Sequence, residues 1–199
     1  MVGEIKRVLV KHPKDAYQNQ LKIDDQSKKL NYLGKPDYKK ASSDYEQLIS
    51  FLKTNSIQIY YLPIDKDTSL DSIYTHDPCI ISNSGVILSN MGKRDRQTEP
   101  KAIASYFDSI NVPILGQIKS PGTLEGGDVV WIDERTVAVG EGYRTNAEGI
   151  RQLKSLLKSD VDKVITVPLP HWTGPADCLH LMSNISPIDY DLYLVYSKL

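Results

Sequence analysis

The sequence lacks the features that mark several large classes of protein. Its 199 residues include two cysteines, Cys79 and Cys178, so no disulfide framework can hold the fold, and a reducing, cytoplasmic setting is expected. The 24 lysines and arginines nearly cancel the 25 aspartates and glutamates. The net charge of -1 therefore provides no field that would hold nucleic acid or an anionic membrane as the main partner.

Long apolar runs are missing as well. No stretch approaches the roughly 20 residues that a membrane-spanning helix needs. Residues 1–11 carry charges but no apolar segment and no small-residue cleavage site, so no secretion signal is expected. With 40% apolar and 25% charged residues, the chain suits one globular domain over residues 1–199. The remaining classes are a small-molecule enzyme and an adaptor.

Three segments have the periodicity of amphipathic helices. The first is predicted to begin near Ser43, where Glu46 completes a capping-box pattern. The second is predicted to start at Thr98 and the third at Asn146. Their apolar side chains are spaced to lie on one face: Tyr45, Leu48, Ile49 and Leu52 in the first, Ile103, Tyr106, Phe107 and Ile110 in the second, and Ile150, Leu153, Leu156 and Leu157 in the third.

Short segments with strand character flank these helices. They are residues 8–10, 57–62, 79–82, 86–89, 112–115, 129–132, 136–139, 164–167, 179–185 and 192–196. The order strand, strand, helix, strand occurs twice with a spacing of roughly 50 residues, between a looser first copy and a final pair of strands. We therefore predict an α/β fold of about three and a half repeated ββαβ units. A small α+β sandwich is the alternative if the period is accidental.

The predicted repeat has an open flank. The last unit has two strands but no helix and no closing strand. A repeat of this kind buries its apolar face only against a neighbour, and an uncovered sheet edge readily pairs with another chain. The sequence is therefore expected to be part of a larger architecture, unless self-association or a second chain covers the gap.

Four polar clusters lie at predicted strand ends or turns, where functional side chains are often placed. They are residues 74–78 (YTHDP), 124–128 (LEGGD), 143–146 (YRTN) and 178–183 (CLHLMS). Each has an ordinary structural explanation when it is taken alone. These explanations are a plain turn at 125–128, a turn start at Asp77, a surface ion pair for Arg144 and a core position for His180.

Taken in order along the chain, the clusters resemble the pentein, or guanidino-group-modifying, superfamily. The most specific segments are LEGGDV at 124–129 and RTNAEG at 144–149, and the resemblance extends over essentially the whole chain. The nearest branch is that of dimethylarginine dimethylaminohydrolase and arginine deiminase, often labelled amidinotransferase-like. The resemblance implies a pentein-type α/β propeller, which has five ββαβ units when complete. This chain would then be a single partial propeller domain over residues 1–199.

The resemblance also implies roles for individual residues. Asp77 matches the aspartate that binds the substrate guanidinium, and Glu125 matches the acidic residue that pairs with it or supports the histidine. His180 matches the general acid and base of catalysis. Arg144 and Arg96 match arginines that can hold the α-carboxylate of the substrate.

The implied reaction is hydrolysis of a C–N bond in arginine or a methylated arginine. Two carboxylates would bind the planar guanidinium, and a cysteine thiolate would attack its central carbon. The histidine would protonate the leaving amine and then activate water to cleave the thiouronium intermediate. Asp128 is expected to be structural or to support the substrate-binding groups. No cofactor is implied, and the four histidines show no paired metal-ligand spacing.

The sequence departs from the family pattern in three places. The family nucleophile lies near the C-terminus in a fifth unit, and neither Cys79 nor Cys178 occupies the matching position, so both are expected to be structural. His76 stands where the family usually has arginine. Met182 stands where arginine deiminases often have aspartate, which favours the dimethylaminohydrolase side.

The missing nucleophile leaves three explanations: a truncated gene, a fragment of a longer chain, or a separate polypeptide that supplies the last units. In each case the chain alone is expected to have no hydrolase activity. The non-catalytic alternatives are a pentein-fold scaffold and a module that binds a guanidino ligand without converting it. Free arginine, dimethylarginine, agmatine and an amidino-transfer acceptor all stay open as the small-molecule partner.

Overall fold

Helices and short strands alternate along the chain. The computed structural model describes residues 2–171, 174 and 179–196. Its strands are β1 (Arg7–Val10), β2 (Gln58–Tyr61), β3 (Cys79–Ile81), β4 (Val86–Leu88), β5 (Ile114–Gln117), β6 (Val129–Trp131), β7 (Thr136–Glu141), β8 (Lys163–Pro168), β9 (Ile185–Asp189) and β10 (Leu192–Val195). Its helices are α1 (Pro13–Ala16), α2 (Gln20–Gln26), α3 (Tyr38–Thr54), α4 (Glu99–Ser109) and α5 (Ala147–Leu156).

The strands form small sheets, and the two middle sheets share one internal order. In each, an antiparallel pair is followed by a helix and then by a parallel strand: β3-β4-α4-β5 and β6-β7-α5-β8. The first sheet is the parallel pair β1 and β2, and the last is the antiparallel pair β9 and β10. The described strands therefore repeat the predicted order twice, between two shorter copies. None of the sheets formed by these residues is closed.

Two of the three predicted helix starts are where the sequence placed them. Helix α4 follows Thr98, and α5 follows Asn146, whose side chain accepts a hydrogen bond from Gly149 N at 2.8 Å. The start near Ser43 was wrong. Helix α3 begins at Tyr38, five residues before Ser43, because the carboxylate of Asp37 accepts from Lys40 N at 2.7 Å and caps the helix there. Helices α1 and α2 were not predicted.

Two further expectations also fail locally. On α3, Ile49 is buried, but Leu48 is 45% exposed and lies off the core face. The predicted strand over 179–185 is instead a single 3₁₀ turn, Leu181–Ser183, and β9 begins only at Ile185. The turn forms because Leu181 N donates to the carboxylate of Asp128 at 3.0 Å, which takes this segment out of a sheet ladder.

The largest core cluster lies between the two middle sheets. It joins side chains of α5 to those of both sheets: Ile80, Ile87, Ile118, Leu124, Val129, Val137, Val139, Ile150, Leu153, Leu157 and Val161. Each copy of the repeat therefore buries apolar surface against the next one, as stacked units do. In the part of the chain that the structure describes, no helix has the length and apolar character to cross a membrane.

Replacing Leu153 by alanine tests this core. Leu153 has no exposed surface, so the substitution leaves a cavity between α5 and the sheets. We expect the free energy of unfolding to fall by about 2–5 kcal/mol, measured by urea denaturation. The matched control is Leu48→Ala on the exposed side of α3, for which we expect a change of about 0.5 kcal/mol or less. Equal losses for the two variants would contradict the assigned core.

Candidate active site

Three side chains that are far apart in the sequence converge at one place. His180 Nε2 lies 2.8 Å from Glu125 Oε2, and His180 Nδ1 lies 3.9 Å from Asp77 Oδ1. Each residue is in the segment that leads into the first strand of one unit: Asp77 before β3, Glu125 before β6, and His180 before β9. Glu125 is fully buried, and the other two side chains are mostly buried.

Two adjacent positions of this site, 126 and 127, must be glycine for steric reasons. A Cβ on Gly127 would lie 2.6 Å from His180 Nδ1 and 2.8 Å from Asp77 Oδ1. A Cβ on Gly126 would collide with the main-chain oxygen of His76. A side chain at 127 would therefore push His180 and Asp77 apart, and one at 126 would displace the main chain next to Asp77. The E-G-G-D sequence is thus more than a plain turn.

The Asp77 carboxylate is fixed on both oxygens. Oδ1 accepts from Gly127 N at 3.1 Å, and Oδ2 accepts from Arg96 Nη1 at 2.5 Å. The main-chain oxygen of Asp77 also accepts from Gly126 N at 2.8 Å. Pro78 restricts the Asp77 backbone to extended geometry, which suits these contacts. Of the two carboxylate oxygens, Oδ1 is the one that faces His180.

Arg96 is buried among protein acceptors. Its Nε and Nη2 donate to the Glu99 carboxylate at 2.8–3.1 Å, and Nη2 also donates to the main-chain oxygen of Tyr74 at 3.0 Å. The Arg96 side chain is 4% exposed. The structure does not support the expected role of Arg96 as a holder of a substrate carboxylate, because its guanidinium already binds Glu99 and Asp77.

Glu125 gathers donors from three segments. Its Oε1 accepts from Lys93 N at 2.9 Å, and its Oε2 accepts from Arg144 Nη1 at 3.0 Å and faces His180 Nε2. Burial by itself would raise the pKa of this carboxyl. The hydrogen bond to His180 and the charge of Arg144 outweigh it and lower the pKa of Glu125 to about 2. Glu125 is therefore an anion at neutral pH.

His180 is biased toward its charged form. Burial would lower its pKa, but the hydrogen bond to Glu125 and the charges of Asp77 and Asp128 raise the pKa above the ordinary value of 6.5. A histidine with such neighbours can hold a proton near neutral pH and release it to a base. This property fits a general acid and base.

Asp128 ties the site together without facing the converging groups directly. Its Oδ2 accepts from Thr145 Oγ1 at 2.6 Å, and Thr145 Oγ1 in turn accepts from Glu125 N at 3.1 Å. Its Oδ1 accepts from Leu181 N, next to His180. Both oxygens are thus used by protein donors, which fits the structural or supporting role expected from the sequence.

The sequence assigned no functional role to four residues that contact the site. They are Asp71, Lys93, Glu99 and Thr145. One signal was available: Arg96 and Glu99 have the i, i+3 spacing of an ion pair at the start of a predicted helix. The contact between Lys93 Nζ and Asp71, at 2.6 Å, joins residues 22 positions apart and left no local signal.

The described cysteine does not resemble a nucleophile. Burial raises the pKa of the Cys79 thiol to about 12, and the charge of Asp77 adds to the shift, so the reactive thiolate is scarce at neutral pH. The expected structural role of Cys178 falls outside the described residues. Within those residues, no three His, Cys, Asp or Glu side chains are grouped so that they could hold a metal ion.

The fold and the site together define a mixed α/β protein of the pentein kind, with two buried carboxylates around a histidine. The arginine deiminase family model matches residues 66–199, more than half of the chain, and the chain therefore belongs to this family. The predicted superfamily branch is confirmed by this match and by the relatives that follow.

The curated relatives include both enzymes of the branch. The N(G),N(G)-dimethylarginine dimethylaminohydrolase of Pseudomonas aeruginosa is 33% identical over 128 residues, which cover 64% of this chain and 50% of the relative. An arginine deiminase of Bacillus cytotoxicus is 27% identical over 145 residues, covering 68% of this chain and 35% of the relative. The chain spans about half the length, or less, of the curated relatives it matches.

Solved structures extend the likeness to almost the whole chain. A cysteine-to-serine mutant of the Pseudomonas aeruginosa enzyme, complexed with citrulline, matches with a TM-score of 0.80 and 26% identity, covering 98% of this chain and 71% of that one. The N-terminal domain of the cyanobacterial arginine dihydrolase ArgZ, bound to product, matches with a TM-score of 0.77 and 17% identity, covering 97% and 67%. The second match bears on the fold alone.

Replacing His180 by asparagine should change how stability depends on pH. Because folding raises the pKa of His180, protonation stabilises the fold fully below about pH 6.5, and this contribution disappears as the pH rises through the folded-state pKa. The melting temperature of the wild type should therefore exceed that of H180N by more at about pH 6 than at about pH 8.5. Calorimetric melting at the two pH values measures this. An equal gap at both would contradict the raised pKa.

Proposed function

We propose that this chain provides the guanidinium-binding and proton-transfer half of a C–N hydrolase that acts on arginine or a methylated arginine. The observation that carries the proposal is the convergence of Asp77, Glu125 and His180, with both carboxylate groups within 4 Å of the imidazole. Membership of the arginine deiminase family supports the same reaction class. Both kinds of curated relative modify a guanidino group by their printed names.

The charge balance around the site supports a cationic ligand. Four carboxylates stand in ion pairs there, and a fifth, Asp128, is bound by neutral donors. The three permanent cations Lys93, Arg96 and Arg144, together with His180 when it is protonated, still leave one negative charge without a partner. The carboxylates are those of Asp71, Asp77, Glu99, Glu125 and Asp128. An excess of buried negative charge is costly unless a cation joins it. A guanidinium is a planar cation with paired N–H donors, which two carboxylates can bind on two edges.

In the proposed mechanism, Asp77 binds the guanidinium through Oδ1, and the buried Glu125 supports His180, while a cysteine thiolate attacks the central carbon. The C–S bond forms, the C–N bond breaks, and His180 gives its proton to the leaving nitrogen, which departs as an amine or ammonia. His180 then takes a proton from water as the water attacks the thiouronium carbon. Cleavage of the C–S bond restores the thiolate, and the remaining hydroxyl proton passes to solvent or to the released amine as the ureido carbonyl forms.

The side chain of Arg144 suits recognition of the other end of the substrate. It lies at the entry to α5, about a quarter exposed, and touches Glu125 through one nitrogen. We propose that Arg144 holds the α-carboxylate when a substrate guanidinium occupies the carboxylates. An amino-acid ligand is bound in one relative, the citrulline complex, which supports a substrate of that size.

The nucleophile is proposed to come from outside the described residues. Cys79 is buried with a raised pKa, so it does not supply the thiolate. We propose that the four sheets are part of an incomplete pentein propeller, a single partial domain over residues 1–199 in a cytoplasmic setting. A longer form of the chain, a second chain or another copy would complete it. The exposed apolar side chains of β9 and β10, among them Ile188, Leu192, Leu194 and Val195, support such a partner.

A module that binds a guanidino ligand without converting it is the second candidate. The unreactive environment of Cys79 favours it. A scaffold with no ligand is less well supported, since it has no need for buried carboxylates around a histidine. Binding of a guanidino ligand distinguishes the binding module from the scaffold. Turnover with a supplied nucleophile distinguishes the half of a hydrolase from the binding module.

Replacing Asp77 by asparagine should weaken the binding of L-arginine. The change removes one charge that faces the guanidinium, and we expect the affinity to fall at least about tenfold in titration calorimetry. The matched control is Asp108→Asn, an exposed residue near the end of α4, which should leave the affinity unchanged. Arginine binding that is equal in both variants would contradict the assigned site.

The purified chain should form no citrulline-type product from arginine, methylated arginines or agmatine. The expected reason is that Cys79, the cysteine among the described residues, is buried with a raised pKa and holds little thiolate. A colorimetric ureido assay measures this, with the C79A/C178A double variant beside the wild type. Turnover that persists in the double variant would rule out the cysteine mechanism for this chain.

A further inference from the structure

The carboxylate assigned to the substrate guanidinium already has a guanidinium partner. Arg96 Nη1 lies 2.5 Å from Asp77 Oδ2, and both groups are buried. A single buried Asp–Arg pair is neutral and has little attraction left for another cation. Some further group must therefore leave Asp77 with usable negative charge if it is to hold a ligand.

Glu99 is the group that can do this. It binds Arg96 on the side away from Asp77, through both carboxylate oxygens, with three nitrogen–oxygen distances of 2.8–3.1 Å. The residue is 2% exposed, so water screens its charge little. With Glu99 ionised, the three side chains Asp77, Arg96 and Glu99 carry a net negative charge rather than none.

We propose that Glu99 is a positioning residue for the ligand, which acts through Arg96: it shares the arginine's charge and thereby lets Asp77 attract a guanidinium through Oδ1. This inference rests on the proposed function. It assigns a role to a residue outside the converging cluster, and it explains why Arg96 is buried between two carboxylates instead of facing a substrate.

Local structure favours a charged Glu99 at this place. It is the first residue of α4, where the free N–H groups and the helix dipole stabilise a carboxylate. Pro100 follows it and fixes the first turn. The i, i+3 spacing from Arg96 brings the two side chains onto the same side of the chain. The geometry of the pair is therefore set before any ligand binds.

Burial has the opposite effect on the charge. Burial raises the pKa of Glu99, and the nearby charges of Asp71 and Asp77 add to this effect. The hydrogen bond and charge of Arg96 lower the pKa, and the net result is a pKa of about 7. Lys11, which is fully buried, is close enough for its pKa to respond to Glu99. Binding is therefore measured at about pH 8.5, where the Glu99 carboxyl is ionised.

The test compares a cationic ligand with a neutral one of nearly the same shape. L-arginine and L-citrulline are each titrated calorimetrically into the wild-type chain, E99Q, E99D and E148Q. E99Q removes the charge but keeps the size, whereas E99D keeps the charge. Glu148 is the matched control, because it also pairs with an arginine three residues away in the first turn of a helix, but at the surface.

We expect E99Q to lower the ratio of arginine affinity to citrulline affinity by about tenfold or more. The ratio in E99D should stay within about threefold of wild type, and E148Q should leave it unchanged. A merely structural role for Glu99 would weaken both ligands together and leave the ratio in place. A folded E99Q that keeps the wild-type ratio therefore overturns the proposal.

The remaining outcomes also decide the question. If E99Q fails to fold, R96Q/E99Q removes both buried charges together and leaves Asp77 unpaired; it should keep the preference for arginine, and loss of that preference overturns the proposal. Failure of the wild type to bind arginine at all is a different result. It would contradict the proposed function itself, and this inference with it.

Discussion

A buried carboxylate must be surrounded by donors, and this requirement organises the site. Glu125 has no exposed surface, and an unpaired charge in that position would strongly destabilise the fold. It is compensated by His180, by Arg144 and by the main-chain N–H of Lys93, which come from three separate segments. One side chain thus holds together the pieces that a ligand would meet, and its low pKa follows from the same contacts.

The second carboxylate of the site is arranged on a different principle. Arg96 and Gly127 N donate to the two oxygens of Asp77 and fix its orientation. The positive charge of Arg96 also neutralises part of the negative charge of Asp77. Glu99 on the far side of the arginine restores that charge in our proposal. The two carboxylates are therefore stabilised in different ways. Glu125 is held as an anion by donors that contact it directly, whereas in our proposal the charge available on Asp77 depends on the arginine that it shares with Glu99.

The repeated architecture explains why the converging residues are so far apart in the chain. Asp77, Glu125 and His180 occupy comparable places, each in the loop before the first strand of a unit. Units that pack side by side bring such loops to one end of the sheets, so a repeat can build a site from one contribution per unit. The adjacent glycines at 126–127 then allow the loops to approach closely.

The sequence by itself determined the starts of two helices, the strand order of the two middle units and the family. Glu99 and Pro100 marked the first turn of α4, and Asn146 capped α5, because such signals and the periodicity depend on near neighbours along the chain. Only the tertiary structure decided which charges pair. Arg96 meets an aspartate 19 residues away, and His180 meets a glutamate 55 residues away. Such pairs depend on how whole units pack, and no local spacing encodes that.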